Sequence, residues 1–222
     1  MSVITISRQL GSEGSDIARQ VAESLGYEFV DKQTTDAIFR QYGLTRFDEV
    51  YNSVPSFFDL LNADNLLLVA MSNEIIEAVA QRGNVVILGR AGFAVLAGLA
   101  DVLHVRVEAP FSDRVQRVIE REGLADQDAA EERVKQDDEV HDKYIRRFYD
   151  KQWDAPSNFD LVLDTGLMSR DEAVQKIVDA ARGLSEKPPL KDAPTTKSLQ
   201  VDPVLADAVA KAIANPLPEM GP

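Results

Sequence analysis

The chain has 222 residues, of which 45% are hydrophobic and 27% charged, so it can bury the core of one domain. It contains no cysteine and two histidines, which excludes disulfide scaffolds, thiol nucleophiles, cysteine zinc sites and histidine-rich metal centres. A net charge of −13 argues against a protein that coats nucleic acid, yet it permits a small anionic ligand at a local positive cluster. The first residues lack a secretory pattern and the longest apolar run, 91–100, is too short for a bilayer, so we expect a cytoplasmic protein without membrane contact.

Hydrophobic patterning alternates short apolar strands with helices along the chain. Residues 3–6 predict a buried strand, which a glycine-containing loop at 7–14 joins to a helix at 15–25 and a second strand at 27–30. Three further strands are predicted at 85–88, 102–107 and 161–163. Further helices are predicted after residue 31 and at 64–81, 91–99, 111–122, 129–151 and 170–184. This order predicts an α/β fold in which helices flank a parallel five-stranded sheet.

The composition changes at residue 185, where a proline-rich segment begins. Residues 185–200 predict an extended linker, and Asp202 with Pro203 predicts the start of a short helix. This helix carries an apolar stripe: Val204, Leu205, Ala208, Val209, Ala212 and Ile213. A helix this short is marginal alone, so we expect it to pack on the core or on a second subunit, as a homodimer. We therefore divide the chain into a domain of residues 1–184 and a tail of residues 185–222.

The loop after the first strand carries the strongest chemical signal. In α/β folds this position, at the N-terminus of the first helix, binds phosphate through backbone N–H groups and the helix dipole. Gly11 and Gly14 leave room for close approach of a phosphate, and Ser15 can offer its hydroxyl to Mg²⁺. A glycine turn that binds nothing is the alternative.

The same loop departs from the Walker A pattern G-x-x-x-x-G-K-[ST]. Aligned from the strand, Arg8 and Glu13 stand at the two glycine positions. Gly14 stands at the lysine position, and Ser15 alone is retained. Because the lysine is missing, a large share of the charge that stabilises phosphoryl transfer must come from elsewhere.

Several segments of the chain resemble the cytidylate kinase-like family, whose members have a modified phosphate-binding loop. They are ITISRQLGSEGSDIA at 4–18, LGYEFVDK at 25–32, VVILGRAG at 85–92, DKYIRRFYDKQW at 142–153 and NFDLVLDTG at 158–166. The resemblance covers residues 3–183 and leaves the tail outside. It implies a three-layer P-loop NTPase-like fold with a helical lid, ATP with Mg²⁺ as donor, and a CMP-like acceptor.

The resemblance also implies roles for individual residues. The donor phosphates would lie on the loop, and Ser15 would also hold the metal; the loop residues are Gly11, Ser12, Glu13, Gly14 and Ser15. Asp31 and Arg90 would bind the acceptor, although Ala91 stands where the family has aspartate. Four arginines would be catalytic, one from the loop and three from the lid: Arg8, Arg146, Arg147 and Arg133.

Most of these assignments have a structural alternative. Arg8 could pair with Glu13, and Asp31 could cap the helix that starts at Lys32. Most lid arginines could be solvated partners of carboxylates one helical turn away. We expect the acidic residues of this region to form a solvated face, namely Asp137, Asp138 and Asp142. Four other residues are interpreted as structural, Asp164 in a turn and the rest in packing: His104, Tyr149 and Trp153.

The residues and the resemblance together predict a Mg²⁺-dependent kinase. It would transfer the γ-phosphoryl group of ATP to a pyrimidine nucleoside monophosphate such as CMP or dCMP. Two alternatives stay open. One is a nucleotide-binding regulatory protein that lost catalysis together with the lysine, and the other is a kinase of another small acceptor.

Overall fold

A computed structural model of the chain describes residues 2–41, 63–124, 126–186 and 192–214. At its centre is a parallel five-stranded sheet in the order β2-β3-β1-β4-β5. The strands are β1 (Val3–Arg8), β2 (Glu28–Val30), β3 (Val85–Leu88), β4 (Val102–Glu108) and β5 (Leu161–Asp164). Val3 of β1 pairs with Val85 of β3 on one side and with Val102 of β4 on the other. The loops that follow β1 and β3 therefore meet at one edge of the sheet.

Helices connect and cover these strands. In the described ranges they are α1 (Gly14–Leu25), α2 (Lys32–Gln41), α3 (Ala63–Arg82), α4 (Gly92–Val95), α5 (Phe111–Glu122), α6 (Gln127–Tyr149), α7 (Arg170–Glu186) and α8 (Pro203–Ala214). Short 3₁₀ turns lie at Pro156–Asn158 and Thr196–Ser198. None of the helices in these ranges has the length and apolar character needed to cross a membrane.

Both faces of the sheet are buried, which explains why its strands are continuous apolar runs. Ile4 and Ile6 of β1 pack with α1 and α7, in a cluster that includes Ile17 and Ile177. Val3, on the opposite face of β1, belongs to the cluster built by the helices of the other layer, α2, α3, α4, α6 and α8. The fold is thus the three-layer α/β arrangement that the sequence predicts.

Helices α5 and α6 form a hairpin over the end of the sheet. They share a small apolar cluster of Val115, Val118, Ala130 and Val134. Asp126 caps α6 by accepting a hydrogen bond from the Asp128 N–H at 3.0 Å, so this helix starts at Gln127, two residues before the predicted start. The hairpin occupies the place that the resemblance assigns to a helical lid.

Two predicted elements differ from the structure. The helix predicted at 91–99 is a single turn, Gly92–Val95, which ends at the C-cap Leu96, and Gly98 follows with a φ of +82° that does not continue a helix. Strand β1 is longer than predicted and continues to Arg8, which places Ser7 and Arg8 inside the sheet rather than in the loop. The helix predicted after residue 31 is α2, and residues 42–62 lie outside the described part of the chain.

The predicted linker is not a free spacer where the structure describes it. The first two residues of that segment belong to α7, and the described residues from 192 onward are fixed to the core. Thr196 donates from its backbone N–H and its hydroxyl to the Asp101 carboxylate, at 2.8 and 2.6 Å. The carbonyl oxygen of Pro194 accepts a hydrogen bond from the Ala100 N–H at 2.8 Å. The composition of the segment, from which the linker was predicted, does not indicate these polar contacts.

Helix α8 packs on α2 and α3 of its own chain. The side chains it buries are Leu205, Ala208, Val209 and Ala212. Val204 was predicted in the same stripe, but it is 68% exposed, because the helix turns that residue away from the core. The docking expected for this helix is therefore made within the chain, while a homodimer stays a prediction.

Removal of the tail after Glu186 should lower the melting temperature. Burial of Leu205 and Val209 contributes about 1.5–3 kcal/mol each before the cost of ordering the helix. A net loss of about 3 kcal/mol corresponds to roughly 6–12 °C in a chain of this size. Differential scanning calorimetry measures it, and Val204→Ala, at an exposed position of the same helix, is the control that should leave the melting temperature nearly unchanged. An unchanged melting temperature would show that the docked helix adds no stability.

Candidate active site

The loop between β1 and α1 is shaped by two glycines that make room for the protein's own atoms. Gly11 has a φ of +80°, and a Cβ there would lie 2.5 Å from the carbonyl oxygen of Arg114 in α5. A Cβ on Gly14 would lie 2.5 Å from the Cβ of Arg8. We expected these glycines to admit a phosphate, but the space beside each α-carbon is already filled by protein. The glycines bring the loop against the lid and against β1.

The loop nevertheless presents a set of backbone donors without acceptors. Within the described residues, no hydrogen-bond acceptor is found for the N–H groups of Gly11, Glu13, Gly14, Ser15 and Asp16. Four of these groups are consecutive and lie at the N-terminus of α1, where the helix dipole favours negative charge. An arrangement of this kind binds a phosphate group. This is the donor-phosphate position that the sequence predicts.

Ser12 and Glu13 contribute differently from the expectation. Ser12 is fully buried, and its hydroxyl and N–H both donate to the carbonyl oxygen of Gln9, at 2.8 and 3.2 Å. In this conformation Ser12 therefore has no donor left for a phosphate. The Glu13 carboxylate pairs with Arg170 at 2.5 Å and lies 3.9 Å from Arg117. These two cations offset a negative charge that would otherwise repel phosphate.

Ser15 is the residue that fits a magnesium ion. It is exposed beside the loop, and its hydroxyl makes no hydrogen bond to any described residue. The described residues contain no cluster of three or more acidic, histidine or cysteine side chains that could hold a metal. Magnesium does not need one, because phosphate oxygens and waters supply most of its ligands in nucleotide sites. The hydroxyl at the start of α1 is thus a chemically sufficient protein ligand.

Arg8 lies between two clefts that open at the same edge of the sheet. The loop cleft is lined by Arg8, Gln9, Leu10, Gly11, Glu13, Gly14, Ser15, Asp16, Arg121 and Asp137. The strand-end cleft is lined by Thr5, Ile6, Ser7, Arg8, Gly89, Ala91, Phe93, His141, Ile145 and Trp153. Arg8 borders both. The alternative for Arg8 was a carboxylate partner such as Glu13; Glu13 pairs with Arg170, and the Arg8 charge acts on Asp137 instead.

Arg90 and Asp31 hold helix α2 against the sheet. The Arg90 guanidinium is buried; its Nε donates to the Thr35 hydroxyl at 2.9 Å, and its Nη2 donates to the Asp36 carboxylate at 2.5 Å. Asp31 accepts from the Thr34 N–H at 3.2 Å, so it caps α2, as the structural alternative predicts. Both residues lie where strands end, but both are engaged within the protein.

The three lid arginines lie on different parts of α6. Arg146 is exposed and pairs with Asp142 at 2.9 Å, one turn away. Arg133 is exposed and lies 3.8 Å from Asp137, whereas Arg147 is half-buried. None of the three is among the residues that line either cleft. The predicted trio is therefore not gathered at one point in this structure.

Other arginines form the contacts that sequence reasoning missed. Arg114 of α5 pairs with both oxygens of Asp138, at 3.0 and 2.8 Å. Arg117 donates to the carbonyl oxygen of Gly11 at 3.2 Å, and to the hydroxyl and carbonyl oxygens of Thr165 at 2.8 and 2.9 Å. Arg117 thus ties the lid to the loop and to the turn after β5. Their partners lie far away in the sequence, so no local pattern marks them.

Two of the three acidic residues predicted to form a solvated face on α6, Asp137 and Asp138, are instead engaged near the site. Asp137 faces the loop cleft and is within 3.3 Å of His141, and Asp138 pairs with Arg114. Burial raises the pKa of the Asp137 carboxyl, but the hydrogen bond from His141 and the positive charges of Arg8 and Arg133 outweigh it, so the pKa is lowered. Two of the three predicted surface carboxylates are therefore partners of cations near the site.

The four residues interpreted as structural make the contacts predicted for them. The Asp164 carboxylate accepts a hydrogen bond from the Gly166 N–H at 2.8 Å, which stabilises the turn after β5. Trp153 is buried, and Tyr149 donates to the side chain of Asn73 at 2.7 Å. His104 lies in β4 and is hydrogen-bonded to the Thr5 hydroxyl at 2.7 Å.

The sequence of the chain is similar to a known family and to curated proteins. Residues 3–167 match a family model described as the cytidylate kinase-like family. A cytidylate kinase of Ignicoccus hospitalis is 31% identical over 177 residues, which cover 80% of this chain and 97% of that protein. A cytidylate kinase of Methanopyrus kandleri is 28% identical over 193 residues, which cover 83% of this chain and 95% of that protein.

Similarity among solved structures concerns the fold alone. A gluconokinase from Sinorhizobium meliloti superposes with a TM-score of 0.51 at 17% identity. The superposition covers 83% of this chain and 94% of that one. The five-stranded sheet with its flanking helices is thus shared with a kinase of very different sequence.

Proposed function

Because the chain belongs to the cytidylate kinase-like family, we propose that it transfers the γ-phosphoryl group of ATP to CMP or dCMP. The observation that carries the proposal is the meeting of the loop cleft and the strand-end cleft at Arg8. Phosphoryl transfer needs the donor and the acceptor in line, with positive charge at the group that moves. A guanidinium that borders both clefts can supply that charge.

The donor side uses backbone groups more than side chains. The unpaired N–H groups of Glu13, Gly14, Ser15 and Asp16 would hold the β- and γ-phosphates in the loop cleft. Magnesium, bound through the Ser15 hydroxyl and the phosphates, would neutralise charge on the phosphate oxygens. Glu13 itself lines this cleft, and Arg170, which pairs with its carboxylate, and Arg117, 3.9 Å from it, offset its negative charge beside these phosphates.

The acceptor side requires a change of partner. Arg90 is the proposed ligand of the acceptor phosphate, since it follows β3 at the edge where ligands bind in open α/β sheets. In this structure its Nη2 is held by Asp36. A phosphate dianion would replace that carboxylate as the partner of the guanidinium, in the same charge-assisted geometry. Asp31 would support acceptor binding indirectly, because it caps α2, the helix that carries Asp36.

One observation favours a second function. In kinases with a Walker A loop, the last glycine is followed by a lysine. Here Glu13 stands at that glycine position and Gly14 at the lysine position, so a carboxylate is added and the lysine cation is missing. A protein with this loop can bind ATP and transfer its phosphoryl group very slowly. The second candidate is therefore a regulatory protein that binds ATP, and a third is a kinase of another small acceptor.

A panel assay separates these functions. ADP release is measured with ATP and Mg²⁺ against CMP, dCMP, UMP, AMP and GMP, while calorimetry measures ATP binding. The proposal predicts ADP release with CMP or dCMP well above the rate without acceptor, and none when EDTA removes Mg²⁺. ATP binding without ADP release for any nucleotide would support the regulatory protein. If the protein does not bind ATP and releases no ADP with any of these nucleotides, all three candidates are contradicted.

A further inference from the structure

His141 joins the two halves of the site without belonging to any motif. It lies on α6 with its side chain 13% exposed, and it lines the strand-end cleft together with Arg8. Its Nδ1 is 2.7 Å from the carbonyl oxygen of Asp137 and 3.3 Å from the Asp137 carboxylate. Asp137 in turn lines the loop cleft. The hydrogen-bonded pair of His141 and Asp137 thus connects the strand-end cleft with the loop cleft.

The partners of Nδ1 fix the protonation pattern of the ring. A carbonyl oxygen and a carboxylate oxygen only accept hydrogen bonds, so Nδ1 must carry a proton. The proton that the ring gains or loses is therefore the one on Nε2. Uptake of that proton adds a full positive charge beside the strand-end cleft and leaves the bond to Asp137 in place.

The ring is also held in position by its neighbours. It stacks on Trp153, with ring centroids 5.1 Å apart and an angle of 19° between planes. Trp153 is fixed to β1, since its Nε1 donates to the Ser7 hydroxyl at 3.0 Å. It is also fixed to β4, because Arg106 lies 4.6 Å from the centre of its ring and donates to its carbonyl oxygen at 3.0 Å. The imidazole therefore has a rigid platform next to Arg8.

We propose that His141, as an imidazolium, binds a phosphate oxygen of the substrate nucleotide in the strand-end cleft and is a catalytic residue beside Arg8. This proposal rests on the proposed function. Glycine stands at the lysine position of the loop, so positive charge for the transferring phosphoryl group has to come from another part of the chain, and His141 can supply it from the strand-end cleft that Arg8 also lines. Asp137 is then a positioning residue, which orients the ring and balances its charge.

Charged groups of the described residues surround the ring and bear on how the site responds to pH. They include Arg8 from β1, Arg106 from β4 through Trp153, and Asp137 with Arg133 on α6. The arginines keep their charge, and the Asp137 pKa is lowered, so its carboxylate stays ionised between pH 5.5 and 8.5. A contact that needs the imidazolium cation is favoured at low pH and weakened as the pH rises.

A pair of pH profiles tests the proposal. The specificity constant kcat/KM for CMP is measured from pH 5.5 to 8.5 for the wild type, His141→Gln and the control Lys143→Gln. Lys143 is an exposed residue on the same helix, so its substitution removes a nearby surface charge only. Phosphates of ATP and CMP titrate in this range too, and the ratio of wild type to variant cancels their effect.

The ratio of wild type to His141→Gln should be about tenfold or more at pH 5.5 and fall towards one at pH 8.5. The ratio for Lys143→Gln should stay close to one throughout. A His141→Gln ratio that does not change with pH would overturn the proposal, whatever its size, because a structural role of the ring does not follow its charge.

Histidine NMR provides a readout without turnover. The chain has two histidines, so the signals lost in His141→Gln assign the ring. Burial lowers the pKa of His104 against the opposing charge of Asp160, and His104 lines neither cleft, so it serves as the internal reference. Addition of CMP or ATP should raise the titration midpoint of His141, since phosphate stabilises the cation, and should leave His104 unchanged.

The two measurements distinguish the two proposals. A raised His141 midpoint in a protein without kinase activity would support the phosphate contact and contradict the proposed function. An active kinase in which neither nucleotide moves the His141 midpoint would support the proposed function and overturn the assignment of His141.

Discussion

Replacement of Gly11 by valine should abolish measurable ATP binding. The new Cβ would lie 2.5 Å from the carbonyl oxygen and 2.8 Å from the Cα of Arg114, and both belong to the backbone of α5. Backbone atoms cannot swing aside, so either the loop or the start of α5 must move. Valine is also strained at the φ of +80° that Gly11 adopts. The row of unpaired N–H groups would then lose its geometry.

Gly98 provides a matched control for this substitution. Its φ of +82° is nearly the same, and a Cβ there would meet no atom within 4 Å. Gly98→Val therefore carries the backbone strain without the collision. We expect Gly98→Val to bind ATP like the wild type in calorimetry. Gly11→Val should show no heat of ATP binding, while its circular dichroism spectrum remains that of a folded protein. Equal ATP affinity of the two variants would contradict the loop assignment.

The sequence predicts the fold well because each strand and helix is indicated by residues within it or next to it. The run at Val85–Leu88 is apolar throughout, since both of its faces are buried, and the predicted bounds agree with the structure. Helix α5 begins and ends as predicted, with Pro110 before it and Gly123 after it as its caps. Signals of this kind lie within a few residues of the element they define.

The site is predicted less completely because its contacts join distant parts of the chain. The loop was identified from its place after a strand, but the reason for Gly11 lies in Arg114, more than a hundred residues away. The bidentate pair of Arg114 and Asp138 depends on how α5 and α6 pack, which no spacing rule reveals. His141 carries no motif, and only the folded chain shows that it borders the same cleft as Arg8.

The tail shows the same limit. Composition identified residues 185–200 as a linker because proline and charged residues are common there. Asp101 and Thr196 turn part of that segment into a fixed strap, and a single acidic side chain in a distant turn cannot be recognised as an anchor from sequence. The apolar stripe did identify the docked helix, since burial of Leu205 and Val209 follows from hydrophobic periodicity.

The catalytic proposal depends most on Arg8, and Arg8→Met is its sharpest test. Methionine keeps the unbranched stem that packs beside Gly14, while it removes the guanidinium at the junction of the two clefts. Loss of one preorganised donor to the transferring group lowers kcat by about 100- to 1,000-fold. We expect the KM values for ATP and CMP to change much less, because the backbone N–H groups and Arg90 remain.

Arg82→Met is the matched control. Arg82 is an exposed arginine that lies just before β3 and pairs with Glu28, and it lines neither cleft. Its kcat should equal that of the wild type, and both variants should melt within a few degrees of it. If Arg8→Met raises both KM values and leaves kcat unchanged, Arg8 binds the ground state without favouring the transition state. A kcat unchanged together with unchanged KM values would remove Arg8 from the site, because a cation between donor and acceptor phosphates cannot be lost without effect on either.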